Sequence, residues 1–236
     1  MDPQISVVVP MHNESPNVLP LAEQVFRAFA NEAAEIELIL VDDGSTDDTW
    51  AKILAAQKAD ARVAPVRHAK AAGQSAALWT GFKNARAPII ATLDGDLQND
   101  PADLPMMVGL LAEADLVCGV RAKRADTFVR RASSKVARKA RRAMLGIDFA
   151  DTGCNLRVFK RSVLETIPGF DGIHRFMPIF AHNTGALVKE VPVRHHPRTM
   201  GVSKYGLWNR LGRGIRDLIM VRWFLKRQIG RKNLAA

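Results

Sequence analysis

The stretch IELILVDDGSTDDT, residues 36–49, decides the fold. Ile36 to Val41 is a run of strand length broken only by Glu37, and it stops at Asp42, Asp43 and Gly44. Ser45-Thr46-Asp47-Asp48 then offers N-cap oxygens, so a helix is expected over 46–58. The same strand–turn–helix unit recurs on either side. Strand-like runs occupy Ile5–Pro10, Arg62–Arg67, Pro88–Asp94 and Asp115–Val120, and helix-like stretches occupy 16–31, 74–86 and 102–114. Asp100-Pro101 marks the start of the last, a capping residue before proline. Alternation of this kind predicts an α/β fold with a mostly parallel sheet and helices on both faces. Its ligands belong at the carboxyl ends of the strands.

Beyond residue 120 the pattern loosens. Residues 121–142 carry ten Lys/Arg against one acid, Asp126, and Val136, Ala140, Ala143 and Met144 recur near helical spacing. An amphipathic basic helix is expected there. Asn155–Lys160 and Leu187–His195 are strand-like. From Leu207 to Ile229, Trp208, Leu211, Ile215, Leu218, Ile219 and Leu225 fall on one face among many arginines, which predicts a C-terminal amphipathic helix. Residues 1–205 are expected to form the main domain, halved near residue 120, with 206–236 as a tail.

Charge follows the same division. Residues 1–118 hold 8 Lys/Arg and 17 Asp/Glu, a balance of −9, whereas residues 119–236 hold 26 and 7, a balance of +19. An acidic half can hold a metal and a basic half can face phosphates or an anionic surface. Two cysteines, Cys118 and Cys154, give no disulfide framework and suit a reducing compartment. Met1-Asp-Pro-Gln4 leads straight into the first strand, so no signal peptide is expected, nor is there an uncharged apolar stretch of about 18 residues.

Three acidic features sit at successive strand ends: Pro10-Met-His-Asn13-Glu14, Asp42-Asp43-Gly44-Ser45 and Asp94-Gly95-Asp96-Leu97-Gln98. Brought to one edge, so many carboxylates repel one another unless a cation or hydrogen-bond donors stand among them. Asp94, Asp96 and Gln98 are all oxygen ligands, which suits Mg²⁺ or Mn²⁺ rather than zinc. Aspartate and glycine also make ordinary surface turns, but three such turns at consecutive strand ends favour a site. His174, His182, His195 and His196 match no zinc spacing, and His195-His196 is expected to pack against a neighbouring loop.

The ordered set PxxNE (10–14), VDDGSTDDT (41–49), GQSAAL (73–78), LDGDLQ (93–98), DxGC (151–154), HRFxP (174–178) and RxxGxSKY (198–205) resembles family-2 glycosyltransferases. Within them it is similar to the polyprenyl-phosphate branch, such as dolichol-phosphate mannose synthases and undecaprenyl-phosphate sugar transferases. The resemblance spans about residues 5 to 227, with Ala71 where the family usually has asparagine. It implies a GT-A type, Rossmann-like fold and transfer, with inversion, from a UDP- or GDP-sugar to a polyprenyl phosphate. Pro10, Asn13, Glu14, Asp42, Asp43, Gly73, Gln74, Asp94 and Asp96 would bind the donor, Asp43 through base or ribose. Asp94, Asp96 and Gln98 would hold the metal. Arg121, Arg130 and Arg198 would grip the acceptor phosphate with Ser203 and Lys204 beside them, and Asp151 would lie near the acceptor. Asp96, Asp151, Arg121, Arg130 and Arg198 are the catalytic candidates.

The chemistry agrees. A phosphate monoester, with a second pKa near 6, is already an anionic nucleophile at neutral pH, so its site needs arginine forks more than a base. The expected partners are the nucleotide sugar, the polyprenyl phosphate and an anionic membrane surface, with a membrane partner subunit as a further candidate. The protein is expected on the cytoplasmic side, attached peripherally. A transferase acting on a saccharide hydroxyl is the nearest rival. A non-catalytic lipid- or nucleic-acid-binding protein is the third reading, and nucleic acid is disfavoured because no aromatic stacking platform accompanies the single tyrosine, Tyr205.

Overall fold

A computed structural model describes residues 2–121, 138–139, 141–197 and 207–227, with backbone alone for 207–215. Seven strands, β1 (Ile5–Met11), β2 (Ile36–Asp42), β3 (Val63–Arg67), β4 (Ile89–Thr92), β5 (Leu116–Arg121), β6 (Arg157–Lys160) and β7 (Val188–Val193), form one sheet in the order β3-β2-β1-β4-β6-β5-β7. β1 pairs in parallel with β2 and β4, and β2 with β3. β6 runs antiparallel to both neighbours, while β5 and β7 are parallel. The helices are α1 (Val18–Ala28), α2 (Thr49–Ala59), α3 (Gln74–Asn84), α4 (Leu104–Gly109), α5 (Ile173–Asn183) and α6 (Leu207–Arg227). The backbone at 138–139 and 141–145 is helical, and the rest of the basic helix expected over 121–142 lies outside the described residues.

The two-residue period of the strands builds two cores. Val7, Val9, Leu38 and Leu40 face α1, α2 and α4, through Leu21, Val25, Ile53 and Met107. Val8, Ile39 and Val41 face the other way, with α3, α5 and α6 supplying Leu78, Phe82, Phe180 and Val221. Both faces of the sheet are therefore covered, as the near-continuous apolar strands require. Chain order reverses between β1 and β4, so the crevice for a ligand opens at their carboxyl ends.

Expected boundaries shift by a few residues. The helix expected over 102–114 is α4 followed by a 3₁₀ turn at Leu110–Ala112. Asp100 caps Ala102 N at 3.0 Å as expected, whereas at α2 it is Asp47 that accepts from Thr49 N at 3.0 Å. α5 has no counterpart in the sequence reading, because Pro178 sits inside it.

Phe159 is fully buried at the centre of β6 and meets Phe82 of α3 edge-on, with ring centroids 5.6 Å apart. Phe159→Ala is expected to cost about 4 kcal/mol of unfolding free energy, the range for emptying a closed aromatic site. Denaturant unfolding at constant m-value checks this.

Candidate active site

The ends of β1 and β2 are knitted together. Asn13 adopts φ 52 and its Oδ1 accepts from Thr46 N at 2.8 Å, while Asn13 N donates to Ser45 Oγ at 2.9 Å. Glu14 N donates to Thr49 Oγ1 at 2.9 Å, and His12 Nδ1 donates to Asp43 O at 2.7 Å. Gly44 carries φ +62, and a Cβ there would stand 2.4 Å from Ala71 N. The turn thus lies directly against the segment that leads into α3.

Asp43 anchors that segment. Its Oδ1 accepts from Ala72 N and His68 Nδ1, and its Oδ2 from Gly73 N, each at 2.8 Å. Burial pushes its pKa up, but the two amides and His68 outweigh it and hold the carboxyl below its ordinary value. The Asp43 expected at base or ribose thus spends both oxygens on the 68–73 segment. Neighbouring Asp42 is different: Oδ1 accepts from Ser45 N at 3.0 Å, whereas buried Oδ2 has no hydrogen bond. Arg67 Nε stands 3.0 Å from that oxygen at an angle too bent to donate, and its guanidinium lies 5.2 Å over Trp50. Asp42 Oδ2 is thus ion-paired with Arg67 without accepting a hydrogen bond among the described residues.

Asp94 follows β4 at the crevice. The antiparallel register Thr92↔Arg157 brings Asn155 level with Asp94, and Asn155 Nδ2 donates to Asp94 Oδ1 at 2.8 Å. Gln74 Nε2, from the N-terminus of α3, donates to the same oxygen at 2.8 Å. Among the described residues no donor takes Oδ2. Burial first, and then the nearby Asp96 charge, raise the Asp94 pKa from 3.8 to about 6, against the opposing pull of Asn155, Arg121 and Arg157. Gly95 is required here, since a Cβ would fall 2.3 Å from Met11 Sδ. Gln98 Nε2 donates to His196 O at 3.3 Å, leaving the amide oxygen of Gln98 uncommitted, and His196 N returns a bond to Gln98 O at 2.8 Å. No group of three His, Cys, Asp or Glu among the described residues could hold a metal by itself. Two crowded carboxylates plus an amide oxygen nevertheless fit a hard divalent ion that completes its shell with water and phosphate oxygens.

Opposite them, Arg121 at the end of β5 forks onto Asp151, Nε to Oδ2 and NH2 to Oδ1 both at 2.7 Å. Glu190 of β7 accepts from Ala150 N at 2.8 Å and Asp151 N at 3.3 Å, and Arg141 NH2 donates to Phe149 O at 2.8 Å, so the turn carrying Asp151 is held from several sides. His195 pairs with Asn99 in an isolated bridge. Its pKa is lowered by burial first and then by Arg121, against Asp96 and Asp151. Its ring therefore lies within electrostatic reach of both the Arg121–Asp151 pair and Asp96. The structure brings together Asn13, Glu14, Asp42, Asp43, Gly73, Gln74, Asp94, Asp96, Gln98, Arg121 and Asp151 at one edge of the sheet, with Pro10 on β1 beneath Gly95. Arg130, Arg198, Ser203 and Lys204 lie outside the described residues. Asn155, His68 and Glu190 were not singled out from the sequence. Asn155 alone had a signal, as the residue directly after DTGC.

Residues 6–168 match the family model described as "Glycosyl transferase family 2", and the chain belongs to that family. It is 38% identical over 231 residues to a dodecaprenyl-phosphate galacturonate synthase of Rhizobium johnstonii, covering 94% of this chain and 68% of the relative. It is 34% identical to an undecaprenyl-phosphate 4-deoxy-4-formamido-L-arabinose transferase of Edwardsiella ictaluri, covering 86% of this chain and 63% of that protein. The chain thus spans about two thirds of the length of these relatives. In fold it is similar to glucosyl-3-phosphoglycerate synthase from Mycobacterium tuberculosis in complex with UDP, with a TM-score of 0.67, 24% identity and coverage of 94% and 80%. A mannosyltransferase from Pyrobaculum calidifontis in complex with GDP-Man and Mn²⁺ gives 0.62 at 20% identity, covering 95% and 70%. The fold is therefore of the GT-A type and the protein is a glycosyltransferase.

Asp94→Asn tests the carboxylate floor. A carboxyl whose folded pKa lies above its unfolded value stabilises the fold below the unfolded value of 3.8 and loses that stability as pH rises through about 6. The loss is about 3 kcal/mol. The substituted amide keeps an oxygen for Gln74 and Asn155 without the charge. The variant is expected to melt higher than the parent at pH 7.5 without metal and to gain nothing from Mn²⁺, while the parent gains. A lower melting temperature for the variant, or an equal Mn²⁺ gain in both proteins, would contradict this assignment.

Proposed function

We propose that the protein transfers a sugar from a UDP- or GDP-sugar to a polyprenyl phosphate, with inversion, at the cytoplasmic surface of a membrane. The observation that carries this reading is the Arg121–Asp151 fork. A hydroxyl acceptor needs a general base in the acceptor site. Here both oxygens of Asp151 are engaged by the guanidinium at 2.7 Å, so Asp151 is not free to act as a base, and the pair, neutral overall, presents the remaining N–H donors of Arg121. That suits a phosphate nucleophile, which needs charge control and orientation. The relatives named for polyprenyl-phosphate transfer support the acceptor class.

On the donor side, Asp42 Oδ2 is placed to accept a base imide N–H, and the pinned 68–73 segment lines the pocket around it. Asp94, Asp96 and Gln98 would hold Mg²⁺ or Mn²⁺, which when bound neutralises charge developing on the leaving diphosphate. Gln74 and Asn155 fix the orientation of Asp94, and Arg121 sets the approach of the acceptor oxygen. Arg130, Arg198, Ser203 and Lys204 complete the phosphate grip in this reading.

The tail supports membrane attachment through part of the expected stripe, since Ile219 of that stripe is exposed while Leu218 and Leu225 turn inward. Leu218 and Val221 are buried and Phe224 meets Phe180 edge-on at 5.4 Å, so this side of α6 packs on α5. Leu225 also packs inward. Ile219, Met220 and Trp223 are 56%, 42% and 56% exposed, beside the exposed cations Arg216, Lys226 and Arg227. An apolar stripe flanked by cations fits the boundary of an anionic bilayer. Among the described residues no helix is long and apolar enough to cross a membrane. Residues 206–236 therefore act as a docking appendage to the 1–205 domain, alone or with a membrane subunit.

A panel of UDP- and GDP-sugars with Mn²⁺, offered undecaprenyl phosphate or a saccharide acceptor, tests the assignment by mass analysis. Sugar on the lipid phosphate is expected. Product on the saccharide alone would establish the hydroxyl-acceptor reading, and no product on either would overturn the acceptor assignment. Arg121→Lys loses the planar fork and is expected to weaken acceptor use by about 2 kcal/mol, roughly thirtyfold in kcat/KM, with donor KM unchanged. Trp223→Ala is expected to reduce sedimentation with phosphatidylglycerol vesicles, and added salt to reduce it further by screening the cations. The substitution should leave turnover of a short-chain soluble acceptor intact.

A further inference from the structure

Pro178 stands four residues after His174 within α5. Proline has no N–H, so the His174 carbonyl lacks its usual helical donor. Arg157 NH1 takes that carbonyl. Its NH2 donates to Thr152 O at 3.0 Å, and its Nε has no partner. At 2% exposure it is among the largest fully buried side chains, and among the described residues no carboxylate lies within ion-pair distance. A buried cation held only by carbonyls is costly, and an apolar side chain of the same volume would avoid that cost. What the guanidinium gains in return is a bridge between two segments that are distant in sequence.

Both segments lead to the site. Thr152 follows Asp151, the partner of Arg121. The His174 ring meets Ser75 Oγ at 2.7 Å through Nδ1, and Ser75 Oγ also accepts from Gly172 N at 2.8 Å. Burial, with Arg175 and Arg157 nearby, pushes the His174 pKa down to about 3, so the ring stays neutral and shares one hydrogen bond with the Ser75 hydroxyl. Ser75 adjoins Gln74, which holds Asp94 Oδ1, and Asn155, two residues before Arg157, holds the same oxygen. A closed circuit of hydrogen bonds and short chain segments thus runs Asp94, Gln74–Ser75, His174, Arg157, Asn155 and back, with one branch to Asp151.

We infer that Arg157 is a positioning residue that sets the separation between the Asp94 carboxylate and the acceptor pair Arg121–Asp151. The inference rests on the transferase reading above. Arg157 touches neither substrate; it acts through Thr152 and His174.

The test uses the full chain with the donor found by the nucleotide-sugar panel, Mn²⁺ and farnesyl phosphate. Wild type, Arg157→Met, Arg157→Lys and Ser75→Ala are compared by kcat, by KM for each substrate and by melting temperature. Arg157→Met is expected to lose about a hundredfold in kcat, the scale of a misplacement near 1 Å, with donor KM nearly unchanged. Arg157→Lys should recover part of the rate, and Ser75→Ala should lose less. Wild-type kcat in folded Arg157→Met, or losses that follow melting temperature alone, would overturn the inference. Should Arg157→Met fail to fold, Arg157→Lys and Ser75→Ala decide it by the same criterion. Wild type that transfers nothing to farnesyl phosphate from any donor would remove the transferase reading and this inference with it.

Discussion

Two amide donors reach one oxygen of Asp94 from opposite directions, Gln74 from α3 and Asn155 from the segment before β6, each at 2.8 Å. A carboxylate beside Asp96 and largely removed from water is unfavourable by itself, and its raised pKa reports that. The two amides fix its orientation through one oxygen and leave the second without a donor among the described residues. This demands that α3 end its approach at the crevice, and that a reversed strand lie next to β4. The antiparallel β6 in an otherwise parallel sheet is thus bound to the geometry of the site.

The donor side solves a related problem differently. Asp42 and Asp43 are adjacent acids at the end of one strand, yet they have separate environments. Asp43 is neutralised by backbone amides and His68, which turns a charge into a clamp on the 68–73 segment. Asp42 keeps one oxygen without a hydrogen bond among the described residues, 3.0 Å from Arg67 Nε. Gly44 makes the clamp feasible, because its positive φ and missing Cβ let the two loops touch.

The parallel half was legible because its strands are apolar runs closed by acids, a pattern that periodicity and turn chemistry both detect. The carboxylate edge followed from the same reading. Three things were not legible. α5 carries a proline, which local rules read as a breaker, and only Arg157 shows why the helix survives it. The clamp on Asp43 depends on backbone amides 29 and 30 residues away, which no side-chain motif announces. The inward face of α6 was misplaced at Leu218 and Leu225, because amphipathic spacing locates a stripe without saying whether protein or solvent lies against it. Buried Asp217, ion-paired to Arg175 at 2.7 Å, would have marked the packed side.

β6 has a consequence for how the chain is made. It lies between β4 and β5 but is synthesised after both, starting at Arg157 when β4 has ended at Thr92. At ordinary translation speeds that interval lasts on the order of several seconds. Throughout it one side of β4 carries backbone groups with no strand to receive them, and β5, once made, lacks both its neighbours because β7 comes later still, which is the condition under which nascent chains pair with one another. β4 is only four residues long and begins just after Pro88, so the open side is short and lacks a donor at its threshold. Asn155 arrives with the same late segment. Asp94 therefore gains its second amide only when the sheet closes, and an unfinished chain on the ribosome has no completed carboxylate floor.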